Sequence, residues 1–338
     1  MVNLQREFEE FHENIKLKEF NENAKLREKR DILLDKLKKN ISDEAASYTT
    51  FNQGSYAMRT GIKPEDGDYD IDVGLRFDIN KDDYPNPIEP KQWVYDALEG
   101  HTNDVKIRKS CVTVTYQKDD EPIYHVDFAV YANNNSDGKM YIAKGKKSSS
   151  SENKKWEESD PNKLMDIIEN KYSNPDDRKQ FRRVIRYMKK WKTHNSYMFG
   201  NGVPTGIAIT VLAYNLFDVK KTYDSYGRKY VYDDFNALKY FVQKVKSKFI
   251  YTYSDDDQSY YQTISQTLPV APYNDLFLKM TVKEMQTFYE QITAMEEKLI
   301  EVTNKDKKSE ACEVLIKLFG EDFPNKSDRS IVSTSESA

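Results

Sequence analysis

Two aspartates two residues apart stand out because of the segment in which they lie. In DIDVGL (residues 70–75), the two-residue period of a strand places Asp70 and Asp72 on one face and the apolar side chains on the other. Two carboxylates this close repel each other unless a cation lies between them, and hard oxygen ligands suit Mg²⁺. The spacing therefore predicts a site for a divalent cation beside a packed core.

A third aspartate lies in another alternating segment, HVDFAV (residues 125–130). The same period turns Asp127 away from its apolar neighbours, so it can join the first pair from a neighbouring strand. Three carboxylates can hold two metal ions ~3.5 to 4 Å apart, which clamp the attacking and the leaving oxygens in phosphoryl transfer. In that arrangement Asp127 could also accept the proton of the attacking hydroxyl.

A glycine-serine turn precedes the first acidic strand. Gln53-Gly54-Ser55 lies close enough in sequence for a short loop to connect it to that strand. Its backbone amides and the serine hydroxyl can hold phosphate oxygens, and glycine allows a close approach of the backbone. Each feature alone is more often an ordinary turn or a solvated carboxylate. Together they indicate that a phosphorylated substrate binds beside the metal ligands.

The spacing of apolar residues indicates the elements that position these side chains. Residues 3–43 predict a long or broken amphipathic helix. This helix would bury Leu4, Phe8, Phe11, Ile15, Leu26, Leu33, Leu37 and Ile41. Alternating segments predict strands over residues 70–77, 109–116 and 123–131, and the polar turn KDDEP between the last two predicts a hairpin. A mixed sheet in the first half of the chain follows.

The second half of the chain is predicted to be mostly helical. Asp160-Pro161 and Asn174-Pro175 each place a capping side chain before a proline, the order expected at helix starts. The predicted helices cover residues 175–195, 204–219, 233–248, 282–303 and 308–319. The first would bury Phe181, Val184, Ile185, Met188 and Trp191, beside a basic stripe of Arg182, Arg186 and Lys189. Before these helices, a Ser- and Lys-rich segment, 144–155, predicts a mobile loop at a lobe boundary.

Composition limits the class of protein. With 338 residues, 38% of them hydrophobic, the chain can build two packed lobes. Its 52 basic and 56 acidic residues nearly cancel, which excludes coating of nucleic acid through a global positive field. Two cysteines and four histidines do not give the spacing of a zinc site and fit a reducing cytoplasm. No signal-peptide core or membrane-length apolar window is present, so a cytoplasmic protein without membrane association is expected.

The motifs of both halves resemble those of a known superfamily. The Gly-Ser turn followed by DYDIDVGL (68–75) and YHVDFAVY (124–131) resembles the DNA polymerase β-type nucleotidyltransferases. The second-half motifs resemble the bacterial CD-NTases, relatives of cGAS, DncV and the oligoadenylate synthases. These motifs are WEESDP (156–161), RYMKKWK (186–192), VPTGIAITVLAYNLF (203–217) and LPVAPYND (268–275). The resemblance covers roughly residues 45–280.

The resemblance implies an α+β, bilobal architecture with a polymerase β-like lobe of mixed sheet and helices. Residues 1–160 would form this catalytic lobe together with the long N-terminal helix, and residues 161–322 a mostly helical lobe. The active site is expected in the cleft between the two lobes. Residues 323–338 are polar and Ser-rich and are expected to be a disordered tail.

The resemblance also implies a role for each matching residue in the first half. Asp70, Asp72 and Asp127 would be the catalytic, metal-binding carboxylates, holding two Mg²⁺ ions with Mn²⁺ as a substitute. The donor triphosphate would be contacted by Gln53, Gly54 and Ser55.

Three residues of the second half match nucleotide-binding positions of the family. Lys189 would reach the donor phosphates. Its place in the basic stripe of the predicted helix is consistent with this role, because a long cationic side chain can extend to phosphate oxygens. Thr205 stands where the family usually has serine, so the hydroxyl is kept and a methyl group is added. Asp275 matches a nucleotide-contacting position.

By the resemblance, the enzyme would condense ATP and other NTPs in two phosphodiester-forming steps that release pyrophosphate. The product would be a cyclic di- or trinucleotide second messenger, such as cyclic GMP-AMP, for antiphage CBASS immunity. Two other reactions stay open, namely synthesis of a linear oligonucleotide and nucleotide transfer to RNA or protein. A non-enzymatic alternative is an inactive module that senses nucleotide or RNA.

The family context suggests partners beyond the NTP substrates. An RNA, a peptide or a HORMA-like protein could act as an activator, and a downstream effector would respond to the cyclic product. The chain ends in Ala338, a small residue at which ubiquitin-like conjugation machinery could join the protein to a target.

Overall fold

The computed structural model of the chain describes residues 2–17, 22–65, 67, 69–119, 121–200 and 202–325, with the side chains of residues 22, 23, 118 and 122 left undescribed. Ala338, the predicted conjugation site, lies outside the described residues. So does the predicted disordered tail, 323–338, except for its first three residues. No helix in the described ranges is both long enough and apolar enough to cross a membrane.

The described residues form strands and helices in both halves of the chain. The strands are β1 (Tyr48–Asn52), β2 (Tyr69–Phe77), β3 (Asp104–Ile107), β4 (Val112–Lys118), β5 (Glu121–Ala132), β6 (Tyr141–Lys144), β7 (Lys155–Glu158), β8 (Lys221–Asp224), β9 (Lys229–Tyr232), β10 (Ile250–Ser254) and β11 (Ser259–Thr263). The helices are α1 (Gln5–Ile15), α2 (Glu22–Asn40), α3 (Gly54–Ala57), α4 (Ile88–Leu98), α5 (Pro161–Glu169), α6 (Pro175–His194), α7 (Gly206–Leu216), α8 (Asp234–Ser247), α9 (Val282–Thr303) and α10 (Lys308–Phe319).

The described residues divide into two compact units. The sheet unit takes in Lys16–Arg178 and Gln266–Leu278, and the helical unit takes in the described parts of Met1–Ile15, Lys179–Ser265 and Lys279–Ala338. The α+β class predicted from the sequence is confirmed, since a mixed sheet and helices are both present. Compactness does not test whether either unit folds alone, so the predicted domain boundaries stay predictions.

The sheet unit is built on a seven-stranded mixed sheet. Its main order is β1-β2-β5-β4-β3, with β6 paired to β5 and to β7. Strands β2 and β5 run parallel, and β4 and β5 form the predicted antiparallel hairpin. The apolar faces of β2 and β5 are buried in one core with side chains of α2 and α4. Alternation therefore buries one face of these strands and leaves the aspartates on the other.

The predicted N-terminal helix is broken into α1 and α2, which belong to different units. All its predicted apolar residues are buried except Ile41, which is half-buried. In the helical unit, the rings of Phe8 and Phe11 lie 5.2 Å from that of Tyr187, and Phe323 packs on both phenylalanines. Phe323 is fully buried, so the first residue of the predicted tail is part of the packed helical unit.

The Ser- and Lys-rich segment connects β6 to β7 of one sheet, so it is not a boundary between the two units. The ammonium of Lys91, which is fully buried, donates to the carbonyl oxygens of Arg108 and Gly145 at 2.7 Å each. Burial lowers the pKa of Lys91 to about 8. This cation ties the start of the connecting loop to the end of β3, a long-range contact that composition does not reveal.

Both predicted helix starts in the second half are confirmed. The Asp160 side chain accepts a hydrogen bond from the Lys163 N–H at 2.9 Å and begins α5. The Asn174 side chain accepts from the N–H of Asp176 at 2.8 Å and begins α6. These caps satisfy N–H groups that have no partner inside the helix, which explains why the chain turns helical at these positions.

Helix α6 organises the core of the helical unit. Its predicted apolar face is buried, as is Trp191, whose ring is T-shaped to Phe199 at 5.6 Å. The fully buried carboxylate of Asp234 accepts from the guanidinium of Arg183 and, at 2.8 Å, from the hydroxyl of Tyr187. A buried carboxylate is tolerated here because it is paired with a cation and hydrogen-bonded.

Candidate active site

The predicted acidic residues lie in one row across neighbouring strands. Asp72 on β2 and Asp127 on β5 are direct partners in the parallel register, and Thr113 on β4 is the antiparallel partner of Asp127. Direct partners share a face of the sheet, and Asp70 shares it by the two-residue period. Carboxylate oxygens of the three aspartates all lie within 4.8 Å of one another. The structure thus brings together the three aspartates that the sequence singled out.

The electrostatics of this cluster fit a bound cation. Asp70 is exposed, whereas Asp72 and Asp127 are half-buried. Burial, and then the negative charge of Asp127, raise the pKa of Asp72 to about 6. Packing like charges together is unfavourable for the metal-free protein, and a divalent cation relieves it. The oxygen-only donor set suits a hard cation, so the acidic triad can bind a metal ion.

A threonine next to this cluster holds one of its carboxylates. The hydroxyl of Thr113 donates to Asp127 Oδ1 at 2.5 Å, and Thr113 is only 6% exposed. The thiol of Cys111 lies 3.5 Å from the same hydroxyl. Burial, and then the charge of Asp127, raise the pKa of Cys111 to about 12, so the thiol stays neutral at physiological pH. Thr113 orients Asp127, and Cys111 supplies no thiolate to the site.

Changing Thr113 to Val is expected to raise the Kd for Mn²⁺ by roughly 10- to 100-fold, because the carboxylate loses the bond that orients it. Val keeps nearly the same shape, and Thr113→Ser keeps the hydroxyl. The measurement is a calorimetric Mn²⁺ titration of wild type and both variants. Equal titration curves for Val and wild type would show that this hydrogen bond does not position Asp127.

The Gly-Ser turn rests directly against the acidic row. Gln53 donates its backbone N–H to the Asp72 carbonyl at 3.1 Å, and its side-chain oxygen accepts from the Tyr131 hydroxyl at 2.8 Å. Gly54 has φ +68° and begins α3, in which Ser55 is the next residue. A Cβ on Gly54 would lie 1.8 Å from Asp72 Oδ2. Only glycine fits this close approach in this backbone conformation.

In the helical unit, Lys189 lies beside the start of α7. It is 7% exposed, and its Cε would be 3.5 Å from a Cβ built on Gly206, the first residue of that helix. Burial, and then the charges of Arg186 and Lys192, lower the pKa of Lys189 to about 7. A lysine beside the positive end of a helix makes a local environment that favours an anion.

Thr205 is the N-cap of the same helix. Its hydroxyl oxygen accepts a hydrogen bond from the Ala208 N–H at 3.3 Å. Serine and threonine both cap helices in this way, which explains why the departure from the family's usual serine is tolerated. The hydroxyl proton is still free to be donated elsewhere, so the predicted nucleotide contact stays a prediction.

Asp275 helps to shape a loop of the sheet unit. Its Oδ1 accepts from the N–H of Gln266 at 3.1 Å and from that of Phe277 at 2.9 Å. These bonds join both ends of the segment Gln266–Leu278, a structural role that the sequence motif did not suggest. The nucleotide contact expected for Asp275 stays a prediction.

Sequence reasoning missed two residues that support the site. Thr113 lies in the predicted strand 109–116, and Tyr131 follows Asp127 by four residues. By the period of two, Tyr131 falls on the same face as Asp127, which is a signal that was available. Thr113 could be found only by knowing that it lies opposite Asp127, and sequence alone does not give the register between two strands.

Comparison with known proteins gives this arrangement a family context. Residues 49–131 match the model of the "Cyclic GMP-AMP synthase DncV-like, nucleotidyltransferase domain". The chain is also 32% identical over 152 residues to a curated cyclic GMP-AMP synthase of Escherichia albertii. That match covers 41% of this chain and 30% of the relative, so the chain spans less than a third of the length of that protein.

Solved structures show the same fold over nearly the whole chain. The Vibrio cholerae DncV cyclic AMP-GMP synthase superposes with a TM-score of 0.69 at 16% identity, covering 96% of this chain and 98% of DncV. The E. coli MS115-1 CdnC with ATP has a TM-score of 0.65 at 18% identity, covering 96% and 99% of the two chains. The Bradyrhizobium diazoefficiens CD-NTase CdnG with GTP has a TM-score of 0.66 at 13% identity, covering 93% and 94%. Residues 49–131 thus match the nucleotidyltransferase-domain model of the DncV-like family, in a chain whose fold is similar to that of the solved bacterial CD-NTases.

Proposed function

We propose that this chain condenses ATP and other NTPs into a cyclic di- or trinucleotide with release of pyrophosphate. The observation that carries the proposal is the convergence of three carboxylates within 4.8 Å beside a Gly-Ser turn. The relatives are named as cyclic nucleotide synthases or were solved with ATP or GTP, which supports the same class of substrate. The product that we propose is a cyclic nucleotide such as cyclic GMP-AMP.

In this proposal, Asp70, Asp72 and Asp127 hold Mg²⁺, or Mn²⁺ in its place. When bound there, two ions would neutralise the charge of the triphosphate and orient its oxygens. A ribose hydroxyl forms a bond to the α-phosphorus, and the bond from that phosphorus to the β-phosphate oxygen breaks. Asp127 accepts the hydroxyl proton, and pyrophosphate leaves. A second such step on the linear intermediate closes the ring.

The residues proposed to bind the triphosphate are those that the resemblance to the family implies. The backbone and side chains of Gln53, Gly54 and Ser55 hold phosphate oxygens, as their position against Asp72 supports. Lys189 contributes a cation beside the start of α7. Thr205 and Asp275 are proposed to complete the contacts to the nucleotide.

Changing Lys189 to Ala is expected to raise the KM for NTP by roughly tenfold, because a desolvated cation facing phosphate oxygens is lost. The control is Lys239→Ala, which removes another lysine of the helical unit. The ammonium of Lys239, on α8, lies 5.5 Å from the centroid of the Phe235 ring. The measurement is KM from initial rates for each variant. An unchanged KM for the Lys189 variant would exclude it from phosphate binding.

The biological role proposed is CBASS antiphage immunity, with a downstream effector that responds to the cyclic product. An activator, which could be RNA, a peptide or a HORMA-like protein, is part of the same proposal. The E. coli CdnC was solved in a complex with HORMA-deltaN, which supports the last of these. Ubiquitin-like conjugation at Ala338 would add a further level of control.

The test is incubation of purified protein with pairwise mixtures of labelled NTPs and Mg²⁺ or Mn²⁺, followed by phosphatase treatment and mass spectrometry. The expected product is a phosphatase-resistant mass equal to two or three cyclised nucleoside monophosphates. The Asp70→Ala/Asp72→Ala variant should not form it. Absence of any resistant product, with and without candidate activators, would contradict the proposal.

Four further measurements separate the proposal from its alternatives. A 3′-exonuclease degrades a linear oligonucleotide and leaves a cyclic one intact, so digestion distinguishes these products. Label found on added RNA or on protein would indicate nucleotide transfer. Calorimetric binding of NTP without any turnover would indicate an inactive sensing module, and unchanged phage protection by the double variant would point the same way.

A further inference from the structure

Exposed tyrosines concentrate on two hairpins of the helical unit. More than half of the exposed large apolar side chains in the described part of the chain lie on the β8–β9 hairpin or the β10–β11 hairpin. Residues 220–232, with β8 and β9, contain four cations and one carboxylate and are called the basic hairpin. Residues 250–263, with β10 and β11, contain three aspartates and no cation and are called the acidic hairpin.

The basic hairpin presents its tyrosines away from the body of the unit. Tyr223 and Tyr230 are cross-strand partners with ring centroids 5.3 Å apart, and Tyr226 at the tip is 100% exposed. The ammonium of Lys221 lies 4.6 Å from the centroid of the Tyr230 ring. The other face carries the pair Thr222 and Val231, which line a cavity together with residues 2–5. One face is therefore turned to the N-terminal segment, and the tyrosine face is turned outward.

The acidic hairpin has a matching tyrosine face. Tyr253 and Tyr260 are cross-strand partners with ring centroids 5.1 Å apart, and Tyr251 shares their face by the two-residue period. Tyr251 and Tyr260 are 74% and 68% exposed. Asp255 and Asp256 are exposed at the turn beside them. Each hairpin thus combines three exposed tyrosines with an excess of charge of one sign, and the two signs are opposite.

The acidic hairpin is held firmly, which makes it a pre-formed surface. The side-chain oxygen of Gln286 on α9 accepts the backbone N–H of Gln262 at 2.7 Å. Lys283 forms an ion pair with Asp257 at 2.5 Å. A surface that is already ordered loses little conformational entropy on binding. Tyrosine adds contact area at low entropic cost, since its side chain has two rotatable angles.

We propose that the acidic hairpin of one copy of this chain binds the basic hairpin of a second copy. One chain carries both of these complementary surfaces. In the contact, the tyrosine face of one hairpin would pack against that of the other, and the charges around the two faces are opposite in sign. The basic hairpin precedes α8 in the chain and the acidic hairpin follows it. The fourteen residues of α8 span roughly 21 Å, so the two hairpins follow from opposite ends of this helix and one copy can use both at once. Pairing of like hairpins is disfavoured, because it would bring charges of one sign together.

The size of the contact predicts a weak association. Three tyrosines per hairpin, each able to bury roughly 150–250 Å², supply about half or more of the ~800 Å² that each partner buries in a stable interface. We therefore expect a concentration-dependent equilibrium instead of a permanent oligomer. The charges predict that association weakens as ionic strength rises from about 0.1 M to about 1 M, where the screening length falls from ~10 to ~3 Å.

The test uses two variants that each disable one half of the contact. Tyr226→Ser/Arg228→Asp alters the basic hairpin, and aspartate tolerates the positive φ of 49° at position 228. Tyr251→Ser/Asp256→Lys alters the acidic hairpin. The control is Tyr197→Ser, which removes a tyrosine of the same unit that is 74% exposed and lies outside both hairpins. Full-length proteins are compared by sedimentation equilibrium between about 5 and 200 µM, the range in which an interface of this size associates.

Wild type and the Tyr197 control are expected to associate, and each hairpin variant alone to have an apparent Kd at least about tenfold higher. An equimolar mixture of the two variants should associate again, because each supplies the half that the other lacks. This restoration cannot come from a misfolded chain, so it separates lost contact from lost folding. A wild type that stays monomeric at the highest concentration, or variants that weaken association singly without restoring it in the mixture, would overturn the proposal.

Discussion

Replacing Asp72 by Asn is expected to lower the rate of nucleotide incorporation by about 1000-fold or more, the scale expected when a metal-binding charge is removed. Asp72 is the half-buried partner of Asp127 across two parallel strands, so its charge lies at the centre of the acidic row. Asn keeps the size and shape of the side chain, and the sheet should fold around it unchanged. Initial rates with Mg²⁺ and with Mn²⁺ measure the effect.

The same change is expected to make the metal-free protein more stable at neutral pH. Burial and Asp127 raise the pKa of Asp72 from 3.8 to about 6. Between these two values the folded protein binds more protons than the unfolded chain, so the free energy of unfolding falls as pH rises through this window. A shift of about two pKa units corresponds to roughly 3 kcal/mol, which is the largest gain expected from Asn at pH 7. Urea unfolding in EDTA should show this gain at pH 7 and its disappearance below about pH 4.

The control is Asp78→Asn, because Asp78 is an exposed carboxylate one residue beyond the end of β2. It should leave the rate unchanged and should change the free energy of unfolding by no more than a few tenths of a kcal/mol, as is usual for a surface substitution. A metal readout completes the design: Mn²⁺ should raise the melting temperature of wild type and of the Asp78 variant but not of Asp72→Asn. An Asp72 variant that still gains stability from Mn²⁺ would show that the cation binds elsewhere.

The acidic row could be predicted from sequence because it depends on short-range rules. Strand periodicity placed Asp70 and Asp72 on one face without knowledge of the fold, and it gave the orientation of Asp127 in the same way. The same period allowed Asp127 to join the pair from a neighbouring strand, and the resemblance to a known superfamily implied that the three carboxylates act together. The structure confirms this neighbourhood as a parallel pair in which residues 72 and 127 are opposite each other.

What could not be predicted depends on contacts between distant parts of the chain. The break that puts α1 and α2 in different units leaves the apolar pattern intact, because both helices bury a face of the same type. The buried ammonium of Lys91 looks in sequence like any lysine, since its three carbonyl partners come from residues 17 to 54 positions away. Thr113 likewise becomes part of the site only through the register of β4 with β5.

Changing Gly54 to Ala is expected to lower activity by at least about 100-fold, mainly through its effect on the geometry of Asp72. The new Cβ would lie 1.8 Å from Asp72 Oδ2 and 2.7 Å from its carboxyl carbon, so the carboxylate must move. The end of an aspartate side chain can rotate away at modest cost, which keeps the fold intact but displaces a carboxylate of the acidic row. The backbone at φ +68° adds strain of roughly 1–3 kcal/mol for any residue with a side chain.

A second glycine separates the two effects. Gly100 has φ +70°, but a Cβ built there meets nothing within 4 Å. Gly100→Ala therefore introduces similar backbone strain without a clash, and it should lower the free energy of unfolding while leaving kcat unchanged. Activity is measured for both variants at a temperature where each is fully folded. If the two lose activity equally, strain explains the loss; if only Gly54→Ala loses it, the close contact between the turn and Asp72 is what holds the carboxylate in place.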